Sequence, residues 1–147
     1  MGDLSRFFSV REFTKSVTAN SLGISNNIPI QDGPKILRNL ENLCTKVLDP
    51  IRELACGPVR ITSGYRCPEL NYKVKGAPNS DHLYGQAADF GPGYPVDDLQ
   101  KWLDDMYRII VNSDIKYHQL IREPTWLHIS YHMDNKCVHW RNDGTKS

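Results

Sequence analysis

The sequence has 147 residues, of which 39% are hydrophobic and 24% charged, and its formal net charge at pH 7 is +1. These values are typical of one globular domain, and we expect a single domain over residues 1–147 with a core at about 11–132. The balanced charge gives no bias towards binding nucleic acid. The sequence has no run of about 18 apolar residues, so insertion into a membrane is not predicted.

The first residues are interrupted by charged side chains and do not have the pattern of a secretory signal. We therefore expect synthesis in the cytoplasm, and any action on the outside of the cell would follow release. The cysteines are widely spaced and include no Cys-x-x-Cys pair; they are Cys44, Cys56, Cys67 and Cys137. This spacing excludes a cysteine-rich zinc knuckle. Without a secretory signal, four reduced thiols are expected.

The first half of the chain predicts helices. A short helix is predicted near residues 10–16. Apolar residues then recur at steps of three and four from Ile36 to Leu54, after Asp32 as a candidate cap, which predicts a helix with a kink or break at Pro50. A second amphipathic helix is predicted over Val96–Val111.

The middle and last thirds of the chain predict short strands, at Val59–Thr62, Gln86–Phe90, His118–Ile121 and Trp126–Tyr131. The last two are separated by four residues that include a proline, which is hairpin spacing. Together these elements predict an α+β fold in which helices pack on one mostly antiparallel sheet.

Two segments contain candidate metal ligands. His82 and Asp89 stand seven positions apart, and we expect a loop-to-strand passage to bring them together, with Gly85 and the small residues after it allowing the backbone to approach the metal. His128 lies on a predicted strand, where it faces the same way as Trp126. The alternative is a half-exposed strand without function.

A His–Asp–His set offers zinc three suitable ligands and leaves the fourth position to water, which is typical of catalytic sites. Such a site also needs a carboxylate that takes a proton from this water. Glu123 is the best candidate, because it lies just before the strand that carries His128; Asp81 and Asp114 are less well placed. Cys67 is not expected as a fourth ligand, because it would close the open position.

The segment around these ligands contains a pattern written Ser-x-His-x-x-Gly-x-Ala-x-Asp, formed by Ser80, His82, Gly85, Ala87 and Asp89. Upstream stands Ser63-Gly64-Tyr65-Arg66 with Asn71, and downstream stands Trp126-Leu127-His128. The combination resembles the zinc D-alanyl-D-alanine carboxypeptidases and dipeptidases, whose metal-binding fold is shared with hedgehog signalling domains. The resemblance extends from about Arg11 to Ser130, and the short form resembles the phage and prophage branch.

The resemblance implies that His82, Asp89 and His128 bind Zn²⁺, and that Glu123 is the general base. It also implies that Arg66 steadies the substrate carbonyl or the oxyanion, a task that suits a fixed positive charge. The resemblance further implies the α+β fold of the family.

Other residues are candidates for substrate contacts. Ser80 is expected to contact the substrate or to orient His82. Tyr65, Tyr84 and Trp126 are candidates for lining a substrate cleft, and the alternative for these aromatic side chains is packing. Arg66 would also bind substrate. The remaining histidines, His118, His132 and His139, are interpreted as ordinary surface or strand residues.

The expected function is that of a zinc metallopeptidase that hydrolyses an amide bond in peptidoglycan stem peptides, as an endolysin-like, monomeric cell-wall hydrolase. One alternative is a carboxypeptidase that acts on a free C-terminal D-alanine. Another is a zinc-stabilised binding module without catalysis.

Overall fold

The computed structural model describes residues 2–143, where helices pack against one five-stranded sheet. The helical elements are, in chain order, α1 (Val10–Thr14), α2 (Val17–Leu22), α3 (Gly33–Leu43), a π-helical segment (Cys44–Leu48), α4 (Asp49–Leu54), α5 (Pro68–Lys73), a 3₁₀ turn (Asp81–Tyr84) and α6 (Leu99–Val111). The strands are β1 (Val59–Ser63), β2 (Ala87–Pro92), β3 (Gln119–Arg122), β4 (Leu127–Ser130) and β5 (Val138–Arg141). None of the helices in this part of the chain has the length and apolar content needed to cross a membrane.

The strands lie in the order β1-β2-β4-β3-β5, and every pairing except the parallel β3–β5 pair is antiparallel. The α+β fold with a mostly antiparallel sheet is therefore confirmed, and the predicted hairpin is the β3–β4 pair. Strand β5 was not predicted, because its alternation of apolar and polar residues covers only four positions, and these residues are largely exposed. The single domain over 1–147, with its core at about 11–132, stays a prediction.

The long predicted helix is a continuous helical run with one change of geometry. Its apolar stripe is buried from Ile36 to Ile51, as the periodicity requires, whereas Leu54 at its end is exposed. Pro50 has no N–H and its ring would clash with the carbonyl one turn earlier. The chain widens immediately before it into the π-helical segment, where the Asp49 N–H donates to the Cys44 carbonyl five residues back. The predicted break thus takes the form of a wider turn, and the helix resumes as α4.

Two helix predictions need correction. The helix predicted from Val96 begins at Leu99, because the Asp98 side chain accepts the Lys101 N–H and fixes the start there. Helix α2 was missed: Ser16 caps it and Gly23 ends it with a φ of 69°, but its only buried residue is Ala19, so no apolar periodicity marks it.

The core lies between the helices and one face of the sheet. Phe90 of β2 and three residues of the hairpin, Leu120, Leu127 and Ile129, are fully buried on this face. Leu4 and Phe8 join the same cluster from the N-terminal segment. All four cysteines lie within the described residues and are free thiols, and burial raises the pKa of Cys44 far above its usual value.

A buried arginine joins the hairpin to α6 on the core face. Arg122 is only 1% exposed, and its Nε donates to Asp104 Oδ1 at 2.9 Å. Its Nη2 donates to the Gln100 side chain at 2.7 Å, and its Nη1 donates to the carbonyl of Glu123 at 2.6 Å. Because a buried guanidinium needs these partners, the turn between β3 and β4 is held against α6.

Gly85 ends the 3₁₀ turn that precedes β2, and it has a φ of 72°. A Cβ at this position would stand 2.9 Å from the Ile36 carbonyl and 3.1 Å from the Leu40 side chain. The small residue therefore allows the turn to pack closely against α3. This packing accounts for the glycine, and the expectation that Gly85 gives the backbone access to a metal stays a prediction.

We expect Gly85→Ala to lower the free energy of unfolding by about 1–2 kcal/mol through its left-handed backbone and by a further ~1–3 kcal/mol through the contact with α3. Gly23→Ala is the matched control. Gly23 has a φ of 69°, but nothing lies within 4 Å of the added Cβ, so this variant should lose only the first amount. Urea unfolding followed by circular dichroism measures both, and equal losses would contradict the proposed crowding at α3.

Candidate metal centre

Asp89 and His128 face each other across two neighbouring strands. Asp89 of β2 pairs directly with His128 of β4. Directly opposed residues of an antiparallel pair extend to the same face of the sheet, with Cβ atoms about 4.5–5.5 Å apart. His128 Nδ1 lies 2.9 Å from Asp89 Oδ1. The sheet register alone therefore brings two of the three predicted ligands together.

His82 reaches the same carboxylate from the 3₁₀ turn. Its backbone is held at both sides, since its carbonyl accepts the Arg66 N–H at 3.0 Å and its N–H donates to Ser80 Oγ at 3.2 Å. Its ring is held by Nδ1, which lies 2.7 Å from the Gly64 carbonyl. This leaves Nε2 at 3.4 Å from Asp89 Oδ1. The loop Ser63–Arg66 thus positions the turn that carries His82.

The hydrogen bond to Gly64 decides which nitrogen of His82 is free. A carbonyl oxygen only accepts, so Nδ1 carries the hydrogen, and Nε2 of the neutral ring presents a lone pair to Asp89. Two acceptors facing each other repel unless a proton or a cation lies between them. Zinc bonds of about 2.0–2.1 Å place tetrahedral donors about 3.3 Å apart, close to the observed 3.4 Å. The donor set therefore fits zinc, and all three residues offer atoms within 4.8 Å of one another.

The Asp89 carboxylate is buried, with 8% of the residue exposed. Burial raises the pKa of this carboxyl, but the hydrogen bond with His128 and the close approach of His82 outweigh the burial, so that the pKa lies well below its usual value. The second oxygen, Oδ2, lies 3.6 Å from Arg66 Nη2. Asp89 is therefore an anion: its Oδ1 faces the two histidines, and its Oδ2 faces the Arg66 guanidinium.

Arg66 lies beside the metal ligands and has further partners. Its Nε donates to Ser63 Oγ at 3.3 Å, and its Nη1 donates to Asn71 Oδ1 at 3.2 Å. Burial lowers the pKa of its guanidinium, and the charge of Asp89 acts in the opposite direction. The resulting fixed cation is half-buried at the edge of the candidate centre.

Glu123 lies in the β3–β4 turn, on the face of the sheet that carries His128. Its N–H donates to the Trp126 carbonyl at 3.0 Å, which places Glu123 opposite Trp126. Two residues further into the hairpin, Ile121 pairs with His128. Residues two apart on a strand share a face, so Glu123 and His128 do so. The Glu123 Oε1 accepts from Asn142 Nδ2 at 2.7 Å. Its predicted role as the base stays a prediction.

The other predicted residues are those expected to contact the substrate and those disfavoured as a metal ligand or base. Ser80 caps the turn of His82, Trp126 is half-buried, and Tyr84 is 44% exposed and lines a cavity with Tyr65. Of the residues disfavoured as ligand or base, Cys67 uses its Sγ to accept the Leu70 N–H at 3.4 Å. Asp81 instead contacts His132, with 3.0 Å between Oδ1 and Nε2.

Asn26 was missed by the sequence analysis. It is 7% exposed, and its Nδ2 donates to the carbonyls of Thr14 and Tyr65 at 3.0 and 2.9 Å. Its Oδ1 accepts the Cys67 N–H at 2.7 Å. Asn26 thus holds both sides of Arg66 in place. No sequence signal marks it, because it lies in a polar loop about 40 residues before Tyr65 and Cys67.

A family model described as Peptidase M15 matches residues 6–130. The match spans most of the chain, so the chain belongs to the peptidase M15 family, the peptidases that resemble zinc D-Ala-D-Ala carboxypeptidases. The resemblance drawn from the sequence is confirmed at this level. The matched region contains all three predicted metal ligands and ends before β5. No curated protein matches the chain.

We expect Asp89→Asn to weaken zinc binding by more than about 100-fold, which exceeds the usual cost of losing a residue that only orients a ligand. The amide keeps the size of the side chain but removes the charge that the cation and both histidines face. Competition with a chromogenic chelator measures the affinity. Asp105→Asn, at a carboxylate on the outer surface of α6, is the control and should bind zinc as the wild type does. Unchanged affinity in Asp89→Asn would contradict the site.

Proposed function

We propose that this member of the peptidase M15 family is a zinc peptidase that hydrolyses an amide bond in peptidoglycan stem peptides. The observation that carries the proposal is the meeting of His82, Asp89 and His128 at one point of the sheet face, next to the cation of Arg66. Bound zinc would polarise the scissile carbonyl and lower the pKa of a bound water towards ~7.

The chain's own residues have distinct tasks in this proposal. His82 would hold zinc through Nε2, because its Nδ1 is engaged by Gly64. Asp89 would supply the anionic ligand, and His128 the third. Three protein ligands leave room for water and substrate, which suits a catalytic rather than a structural site.

Glu123 would act as the general base. It would take a proton from the attacking water while the C–O bond forms, and it would deliver that proton to the leaving nitrogen as the C–N bond breaks. Its place on the face of His128 supports this role. The hydrogen bond from Asn142 restricts the orientation of the carboxylate. Arg66 would hold the developing oxyanion, since its charge is fixed and half-buried.

Ser80, Tyr84 and Trp126 would contact the substrate peptide around this centre. Support for a wall peptide as substrate comes from the family, whose members resemble D-Ala-D-Ala carboxypeptidases. The endolysin-like, phage-type role, action as a monomer and access to the wall after release from the cytoplasm belong to the same proposal. Light scattering of the purified chain tests the monomer, and lysis of permeabilised bacteria by added protein tests access.

Glu123→Gln should lower kcat/KM by about 10²–10⁴-fold and leave the zinc content unchanged, because the amide cannot accept the proton. The assay is cleavage of a defined muropeptide, with zinc measured by mass spectrometry on the same preparation. Glu69→Gln, at an exposed position of α5, is the control and should keep full activity. Full activity in Glu123→Gln would remove this residue from the mechanism.

The bond that is cut is identified by the product masses from a digest of defined muropeptides. Cut stems or cross-bridges are the expected products, and they should be absent with His128→Ala. Released alanine alone would instead identify a carboxypeptidase. A zinc-loaded protein that cuts none of these peptides, and that only loses stability on chelation, would indicate a binding module and contradict the proposal.

A further inference from the structure

A second cluster of metal-binding side chains lies outside the candidate catalytic centre. Asp81, His118 and His132 offer donor atoms that all lie within 4.8 Å of one another. The first stands in the 3₁₀ turn, the second immediately before β3 and the third two residues after β4. Both histidines were interpreted from the sequence as ordinary surface or strand residues, and the structure places them together.

The backbones of the two histidines are fixed by the sheet and its following loop. His118 donates its N–H to the Ser130 carbonyl at 2.8 Å and accepts from the Val138 N–H at 3.1 Å. His132 donates its N–H to Asn135 Oδ1 at 2.8 Å. The positions from which the two rings extend are therefore set by the fold.

The side chains are only partly satisfied. His132 Nε2 lies 3.0 Å from Asp81 Oδ1. The His118 ring stacks on the His132 ring, with centroids 3.8 Å apart and planes 5° apart. His118 Nδ1 is buried and has no hydrogen-bond partner among the described residues. A buried ring nitrogen without a partner calls for a donor, water or ion that would satisfy it.

We propose that Asp81, His118 and His132 bind a second divalent transition-metal ion. Two imidazoles and one carboxylate suit Zn²⁺ or a neighbouring late first-row ion, whereas Ca²⁺ and Mg²⁺ prefer sets made of oxygen alone. An imidazole binds a metal ion in the plane of its ring. The stacked rings of His118 and His132 lie in separate parallel planes, so one of them must turn before both can bind the same ion. For His118 this turn costs no Nδ1 hydrogen bond, since that nitrogen makes none.

The second ion would stabilise the turn that carries a catalytic ligand. Asp81 directly precedes His82, so a metal bond to Asp81 would join this turn to the chain on both sides of the β3–β4 hairpin. The family match ends at residue 130, before His132. One of the three ligands of the second site therefore lies outside the matched region, and the existence of this site does not depend on the proposed catalysis.

The test is the zinc content of the full chain after equilibrium dialysis in a zinc-buffered solution, measured by mass spectrometry. The wild type should bind two zinc ions per chain, His132→Gln one, His128→Ala one, and the double variant none. His139→Gln is the matched control and should keep two, because His139 contacts Tyr117 rather than the cluster. The same number of ions in His132→Gln as in the wild type would overturn the proposal.

A second measurement separates this site from the catalytic one. Zinc added to His128→Ala should raise its Tm by several degrees, and the double variant His128→Ala, His132→Gln should show no rise. Circular dichroism before the addition confirms that both are folded. An equal rise in both would overturn the second site. A His128→Ala chain that keeps two ions would instead count against the catalytic site, so the two failures are distinguishable.

Discussion

The site depends on one buried anion, the Asp89 carboxylate. Removing a carboxylate from water costs several kcal/mol unless charges and hydrogen bonds replace the solvent. Here Oδ1 faces His128 and His82, and Oδ2 faces Arg66. These three partners come from β4, from the 3₁₀ turn and from the loop after β1. Satisfying one carboxylate therefore fixes the relative positions of three chain segments that are distant in sequence.

The sheet register decides whether that arrangement forms. A slip by one residue would turn His128 to the core and bring Leu127 and Ile129 to the solvent side. Both of these side chains are fully buried, so the apolar alternation of β4 fixes the register that places His128 opposite Asp89. The hydrophobic pattern of a four-residue strand thus determines the geometry of a polar site on its other face.

The sequence predicted the features that depend on local periodicity or on a contiguous motif. The amphipathic helices, the hairpin and the α+β class follow from the spacing of apolar residues, and the meeting of the predicted ligands follows from the motif around Asp89. Features that depend on distant partners were not predictable. Asp81 contacts His132 at a separation of 51 residues, and β5 is ordered by parallel pairing with β3 rather than by its own pattern.

The same contrast applies to Gly85 and Asn26. A glycine with a positive φ can be expected at the end of a turn, but the helix carbonyl that excludes a side chain there is visible only in three dimensions. Asn26 serves as a bridge between loops, and a polar residue in a polar segment gives no signal of that role.

The position of Glu123 has two separate origins. On the core face, Arg122 donates to the Glu123 carbonyl and pairs with Asp104 of α6, so the backbone of the turn is fixed by residues inside the family-matched region. On the other face, the Glu123 carboxylate is held by Asn142, which follows β5 and lies beyond that region. The place of the candidate base is thus set by the shared fold. The direction of its carboxylate is set by Asn142, outside the matched region, and a change there can alter the reactivity of the base without disturbing the metal ligands.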